Sequence, residues 1–419
     1  MSTDIVVTAE ATGETLAALY RDLHAYPELS FAERRTAGIV ARSLEALGYE
    51  VHTGIGGTGV VGVLRRGEGP TVLVRADMDA LPVAEATGLE YASTARGVDP
   101  AGKDVPVMHA CGHDMHVTCL LGAAARLASD DSWSGTLMML GQPAEELGAG
   151  ARAMVADGLF DRVARPDVVL GQHVAPMPAG VIGLHAGPAF ATSDSLKVTL
   201  FGSGGHGSRP EACVDPIVMA AAVVLRLQTI VAREVGGDET AVVSVGTLHA
   251  GTKVNIIPDA AELEINVRTY DPAVRERVLA AIERIVRAEA AASAAPREPE
   301  ILHVDSFPAL HNDPEGSVRT VAALRTVVGE RVIDPGPVTG SEDVGVFAVE
   351  AGVPCVYWIL GGADPTLFVG ASTPQQVLQV MGGIPSNHSS GFAPVIEPTI
   401  SIGVAALVAA AKEWLGGPA

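Results

Sequence analysis

Thr71-Val-Leu-Val-Arg75-Ala-Asp77-Met-Asp79 opens on β-favouring apolar residues and closes on two acids. The pattern recurs twice. The apolar run Thr136–Leu140 is followed by Gln142-Pro-Ala-Glu145-Glu146, and Asp167–Leu170 is followed by Gln172-His173. Stretches with helical apolar spacing separate these runs, so the order predicts an α/β domain with a largely parallel sheet. In such a sheet, sites form at the carboxyl ends of the strands. Acid- or His-bearing segments after three successive runs therefore predict one convergent site.

Outward from that centre, residues 11–26 and 33–48 carry helical apolar spacing. Val60–Leu64 reads as a strand, a helix is expected to follow Gly112 through Leu120 and Leu127, and another lies near Ala149–Asp157. From about residue 190 the rhythm changes. Leu196–Phe201 (strand), Asp215–Glu234 (helix), Ala241–Leu248 and Ala261–Arg268 (strands), Asp271–Ala292 (helix) and Glu300–Val304 (strand) give the order βαββαβ, that of a ferredoxin-like sandwich. Residues 190–305 are thus expected to form a separate domain inserted into a first domain of residues 1–189 and 306–419. In the latter, Pro354–Leu360 and Pro398–Trp414 return to α/β character. Gly54-Ile-Gly56-Gly-Thr-Gly59 fits a dinucleotide fingerprint, but that motif must open a helix; here Val60-Val-Gly-Val-Leu64 follows and reads as a strand.

Composition narrows the function classes. The 419 residues are 48% hydrophobic but only 4% aromatic, so Ala, Val and Leu must fill the cores. Against 28 basic residues stand 49 acidic ones, a formal −21, which repels nucleic acid and anionic membranes. An anionic substrate would need a local cationic site. No run of about 18 apolar residues is evident and Met1–Tyr20 lacks the pattern of a secretory signal, so neither a membrane span nor export is expected. Four cysteines in a chain this long are no disulfide framework and fit the reducing cytoplasm; Asn387-His388-Ser389 is then a chance glycosylation pattern.

Five segments concentrate metal-binding side chains: Arg75–Asp79, His109-Ala-Cys111-Gly-His113-Asp114, Gln142–Glu146, Gln172-His173 and Asn387-His388. Thiolate and imidazole are natural ligands for zinc and related ions, and the one-residue gap between Cys111 and His113 can point both at one centre in a non-helical turn. Of the adjacent Glu145 and Glu146, one can bind metal while the other acts as general base. Each feature alone has a plainer reading: a buried Cys beside a capping His, a solvated acidic turn, a hydrogen-bonded loop His at 173 or 388. The case rests on their joint occurrence.

These motifs resemble a known family. RADMDALP (Arg75–Pro82), MHACGHDMH (Met108–His116), QPAEE (Gln142–Glu146) and GGHGSRP (Gly204–Pro210), supported by VNIIPD (Val254–Asp259) and Ser341-Glu-Asp343, are similar to the co-catalytic metallohydrolases that include aminoacylases and carboxypeptidase G-type enzymes. The nearer branch holds hippurate hydrolases, indole-acetyl-amino-acid hydrolases and N-acyl amino acid amidohydrolases, and the likeness runs from Leu23–Leu29 to Phe392-Ala-Pro394. The resemblance implies a zinc-aminopeptidase-like catalytic domain and an inserted lid and dimerisation domain. It implies two divalent ions per chain (Zn, Mn, Ni or Co), bridged by Cys111, with His113, Glu146, His173 and His388 completing the ligands and Glu145 as general base. The family's usual His-x-Asp reads Asp77-Met-Asp79 here, so His113 takes the missing position, Asp79 orients a ligand, and Asp77 has no assigned role. His206 would stabilise the oxyanion in the partner subunit's site, and Asn255 and Arg268 would hold the substrate carboxylate. His24, His109, His116, His185 and His249 are left as structural.

The expected activity is hydrolysis of an N-acyl amino acid (acetyl, benzoyl or larger acyl) to a carboxylic acid and an amino acid, by a homodimer or higher assembly. A dipeptidase or carboxypeptidase of the same family is the alternative. A metal-free thiol hydrolase using Cys111 and His113, and a non-enzymatic small-molecule binder, are the more distant rivals.

Overall fold

The computed structural model describes residues 5–417, which form two compact units. The first comprises Met1–Ala189, His311–Gly336 and Asp343–Ala419; the second comprises Phe190–Leu310 and Pro337–Glu342. The segment Pro337–Glu342 thus departs from the expected boundary: Phe190 bridges to Val338, and the Ala191 amide donates to the carbonyls of Val338 and Gly340.

The first unit is built on an eight-stranded mixed sheet. Its centre is a parallel block in the order Gly135–Gln142, Thr71–Asp77, Val168–Pro178, Cys355–Ala363. The antiparallel strands Glu50–Ile55 and Gly59–Arg66 extend one edge, and the short strands Ile182–Gly183 and Val332–Ile333 extend the other. Because successive side chains face opposite ways, Val72 and Val74 pack with Leu120, Leu121 and Val404 from the helices His113–Ala128 and Thr399–Trp414. The helices Gly150–Ala156 and Gly345–Ala351 pack against each other and against strands of the sheet. Central strands covered on both faces are apolar throughout, which explains the unbroken run Val72–Val74. Small residues such as Ala123 and Ala124 stand where a more aromatic protein would place rings. Leu120 is fully buried, and Leu120→Ala would cost about 2–5 kcal/mol.

One strand exceeds its expected length. Val168–Pro178 runs on past Leu170 because it pairs with Cys355–Ala363, in unbroken register from Cys355 to Gly361, so His173 lies opposite Ile359 within the sheet rather than in a loop. Gly54–Gly59 opens the strand Gly59–Arg66, not a helix.

The second unit has an antiparallel sheet in the order Ala241–Ala250, Ala260–Thr269, Ser193–Phe201, Glu300–Phe307, with helices Pro216–Arg233 and Pro272–Ala292. This is the ferredoxin-like order. Asp215 and Asp271 cap the two helices through their side chains, each ahead of a Pro at the first helical position. The sheet alternates accordingly: Leu196, Val198, Leu200, Leu263, Ile265 and Val267 meet Val223, Leu227, Val278 and Ile282 in a core of this unit's own. The helix Pro216–Arg233 is apolar and long enough to cross a membrane, contrary to expectation; here its stripe of Met219, Ala220, Val223, Leu227 and Ile230 is the buried layer over this sheet.

Candidate active site

The carboxyl ends of the parallel strands carry the first unit's polar centre. Thr71–Asp77 delivers Asp77 and Asp79, and Gly135–Gln142 delivers Gln142 and the turn with Glu145 and Glu146. His173 projects from Val168–Pro178. Cys111 and His113 flank Gly112, whose left-handed φ of 85° starts the helix His113–Ala128. A β-carbon at Gly112 would come within 2.4 Å of Val174 Cγ1, so only glycine allows this turn. His388 also has a left-handed backbone, φ 69°, held by its amide donating to the Ala110 carbonyl at 2.8 Å.

The sulfur of Cys111 belongs to two ligand groups. With His113 and His173 it forms one set of atoms within 4.8 Å of one another, and with Glu146 and His388 it forms a second. His113 and Glu145 also group with Glu146. The structure thus brings together the five expected ligands and the expected base. The second shell of contacts fixes which atoms face inward. His113 Nδ1 lies 3.2 Å from Asp79 Oδ1, and His173 Nδ1 donates to the Val174 carbonyl at 2.8 Å. Each ring therefore turns Nε2 to the centre, the tautomer a metal ligand needs; His173 Nε2 lies 3.4 Å from Cys111 Sγ. Asp79 also accepts from the Glu146 amide at 3.0 Å and from Ser30 Oγ at 2.6 Å.

The electrostatics calls for cations. Burial, then the negative charges of Glu146, Glu145 and Asp77, pushes the Cys111 thiol well up. That is opposite to what a metal-free thiolate nucleophile requires. Burial likewise pushes Glu146 up to about 8, with Asp79 and Asp77 adding and His113 opposing. Burial works against a charged His113, yet Asp77, Asp79 and Glu146 outweigh it and raise it to about 10. Two polar atoms of this centre, His113 Nε2 and Glu146 Oε1, are buried without a hydrogen-bond partner among the described residues. Buried polar atoms are rarely left so. Sulfur, imidazole and carboxylate donors converging around them fit divalent metal ions.

Several residues of this centre were not singled out by sequence. Arg75, 1% exposed, donates to Asp77 at 2.7 Å, Gln142 at 2.8 Å, and Asp343 and Tyr357 at 3.2 Å. Asp77 bonds His116 Nδ1 at 2.5 Å, and His116 Nε2 accepts from the Val174 amide. His116 is thereby a spacer under His173, their ring centroids 4.6 Å apart. Asp343 gathers Arg75, Gln142 and the Ala151 amide. Asn387 donates to the carbonyls of Cys111 and Val174. Their neighbours in sequence were the available signal: Asp77, Asn387 and Asp343 stand in the quoted motifs.

In the second unit His206 is exposed and sits in a two-stranded ribbon, Gly205–His206 against Ile256–Ile257, rather than in an unpaired turn. Its Nδ1 meets Ser208 Oγ at 2.8 Å, and the Gly207 amide donates to the Asn255 carbonyl. Arg268 is elsewhere: it donates to Asn266, to the Thr339 carbonyl and to Ser341 Oγ. Asn255 precedes the strand Ala260–Thr269, whereas Arg268 is near that strand's C-terminal end. Within one chain Asn255 lies beside His206, its carbonyl accepting from the Gly207 amide, and apart from Arg268.

Over residues 73–372 the sequence matches the family described as Peptidase family M20/M25/M40. It is 38% identical over 392 residues to thermostable carboxypeptidase 1 of Saccharolobus solfataricus, covering 92% of each chain. It is 41% identical over 329 residues to the hippurate hydrolase of Campylobacter jejuni, covering 78% of this chain and 82% of that one. Among solved structures, the Bacillus subtilis YXEP protein, a dinuclear metal binding peptidase, is similar with a TM-score of 0.74 at 28% identity, over 96% of this chain and 97% of that one. With this fold, these donors and these relatives, the chain belongs to peptidase family M20/M25/M40 and is a hydrolase of amide bonds.

Proposed function

We propose that the chain hydrolyses N-acyl amino acids to a carboxylic acid and a free amino acid, using two divalent ions held by Cys111, His113, Glu146, His173 and His388. The observation that carries this is the Cys111 sulfur shared between two ligand groups beside Glu145, with the hippurate hydrolase relative indicating the acyl amino acid class. When bound, such ions lower the pKa of a water to around 7 and polarise a carbonyl. Glu145, 5% exposed, takes the attacking water's proton and returns it to the leaving amine. Glu146 is the ligand, its amide fixed by Asp79. His206 donates to the oxyanion in a partner subunit's site, and Asn255 arrives with it. Arg268 holds the substrate's free carboxylate. We place the enzyme in the reducing cytoplasm, as four free cysteines suit, and as a homodimer through the second unit.

A peptide-cleaving reading has one observation in its favour: the relative spanning 92% of the chain is a carboxypeptidase. A screen of N-acetyl, N-benzoyl and longer-acyl amino acids against dipeptides, repeated with Zn, Mn, Co and Ni, separates the two. We expect chelator-sensitive turnover of acyl amino acids, reduced when the α-carboxylate is amidated. Turnover confined to dipeptides overturns the acyl reading, and chelator-resistant activity killed by alkylation restores the thiol mechanism.

A further inference from the structure

The Gly-rich turn 54–59 and the segment Glu28–Glu33 contribute no metal ligand, yet they meet behind the catalytic acids. Among the described residues, four that are not glycine have left-handed backbones: Phe31 (φ 62°), Ala144 (φ 47°), Ala294 and His388. A β-carbon disfavours that conformation, so each instance needs support from its surroundings. Glu33, 0% exposed, supports two of them with one oxygen: its Oε1 accepts from the Phe31 amide and from the Ala144 amide, both at 2.8 Å. Its Oε2 accepts from Thr58 Oγ1 at 2.5 Å, which ties in the Gly-rich turn.

Ala144 immediately precedes Glu145. Its carbonyl is tied as firmly as its amide, accepting from Ala149 at 3.3 Å and Gly150 at 3.0 Å. Gly150 allows that closure, since a β-carbon there would lie 1.6 Å from the Pro143 carbonyl oxygen. The acid-bearing turn Glu145–Leu147 is thus aimed at two points. Asp79, braced by Ser30, holds the Glu146 amide, and Glu33 holds the residue before Glu145. Ser30 and Glu33 lie on the same segment, one turn ahead of the helix Arg34–Ala46.

We propose that Glu33 is a positioning residue whose carboxylate locks the left-handed Ala144 turn and thereby aims Glu145 at the reacting centre. The proposal rests on Glu145 being the general base. It assigns the Gly-rich turn a purpose as well: Thr58 orients the carboxylate so that the other oxygen faces both amides.

The test compares Glu33→Gln, which keeps an acceptor oxygen for both amides while Thr58 turns to accept, with Glu33→Met, which keeps the length and replaces both oxygens by a single weakly accepting sulfur. Leu44→Ala, in the same helix and remote from the acids, serves as a control for lost stability. The full chain is loaded with metal and assayed on the acyl amino acid the wild type turns over best, reading kcat, KM, bound metal and melting temperature. An ångström of misplacement costs about 10²-fold. Glu33→Met should therefore lose about 10²-fold in kcat, with KM within about threefold and two ions retained, while Glu33→Gln stays near wild type. Equal losses in Gln and Met, a loss no greater than that of Leu44→Ala, or activity lost only in proportion to metal would each overturn the proposal. If Glu33→Met does not fold, Glu33→Asp replaces it. The shorter acid withdraws from Ala144 and should fall well below Glu33→Gln; equality overturns the proposal. Glu145→Gln is measured in parallel. Near-normal turnover there shows that the base is wrongly assigned, whereas a silent Glu145→Gln beside a fully active Glu33→Met refutes the positioning role alone.

Discussion

Arg75→Met would test whether the catalytic centre stands on a buried charge network. Arg75 is 1% exposed and reaches two carboxylates, Asp77 at 2.7 Å and Asp343 at 3.2 Å, both 0% exposed. The guanidinium holds Asp77 well below the usual carboxylate range against the pull of burial, with His113 and His116 assisting. Removing it leaves two acids in a dry interior, and breaking a buried pair in this way costs about 3–5 kcal/mol. With a urea slope of about 3 kcal/mol/M for a unit of this size, the unfolding midpoint should fall by about 1–1.7 M. Tryptophan fluorescence is the assay: Trp133, Trp358 and Trp414 are the chain's three tryptophans and all lie in the first unit, so the signal reports on that unit alone. The double variant Arg75→Met, Asp77→Asn removes a charge along with its partner. It should be less destabilised than the sum of the single changes, by about 1–3 kcal/mol. Chelator in every sample keeps metal from masking the comparison. A midpoint shift near zero, or strict additivity in the double variant, would refute the network.

Three further outcomes follow from the geometry. Glu145→Gln should lose about 10²–10⁴-fold in turnover while keeping both ions, whereas Glu146→Gln should also release metal; metal analysis beside kinetics distinguishes them, and retention of full metal by Glu146→Gln would reverse the two roles. Burial opposes a charged His24, but Asp114 at 2.6 Å and Glu85 at 3.0 Å raise it to about 10. Its stabilising contribution is therefore complete below its unfolded value of about 6.5 and is lost as pH rises through 10; melting temperature should decline across that alkaline window in wild type and less steeply in His24→Gln, and parallel curves would count against the pairing. Mixing His206→Ala with Glu145→Gln subunits should restore a substantial fraction of activity if His206 acts across subunits, because one site then carries neither defect, while no recovery places His206 in its own chain's site.

The sequence made the candidate ligands legible because thiols and imidazoles are sparse, four and twelve in the chain, and because their chemistry and that of the adjacent acids survive without coordinates. Cys111, His113, His173, His388 and the acid pair Glu145-Glu146 could be gathered from strand ends and motifs, and the family resemblance then told ligand from base. What holds them could not. Arg75 and Asp77 read as polar residues just past a strand, and only the paired register with Gly135–Gln142 and Val168–Pro178 shows them inside the sheet. Glu33 carries no motif of its own chemistry, since its partners are backbone amides at positions 31 and 144 that no pattern of side chains advertises. The separation of Asn255 from Arg268 is likewise a matter of strand length: Asn255 comes before a ten-residue strand and Arg268 is its ninth residue. The long apolar helix Pro216–Arg233 shows the converse, since composition alone does not distinguish a sandwich layer from a bilayer segment.

Gly112 carries one more implication. The turn between Cys111 and His113 is shaped by a residue with no side chain, against a Val174 methyl that admits nothing larger. The backbone path is thus fixed independently of what hangs from residue 111, so the donor atom there can be exchanged without rerouting the chain. Cys111→Asp would swap a soft donor for a hard one on an unchanged frame, and the balance among bound ions should drift from zinc toward manganese. A scaffold of this kind lets the glycine set where the donor stands while residue 111 alone sets its chemistry.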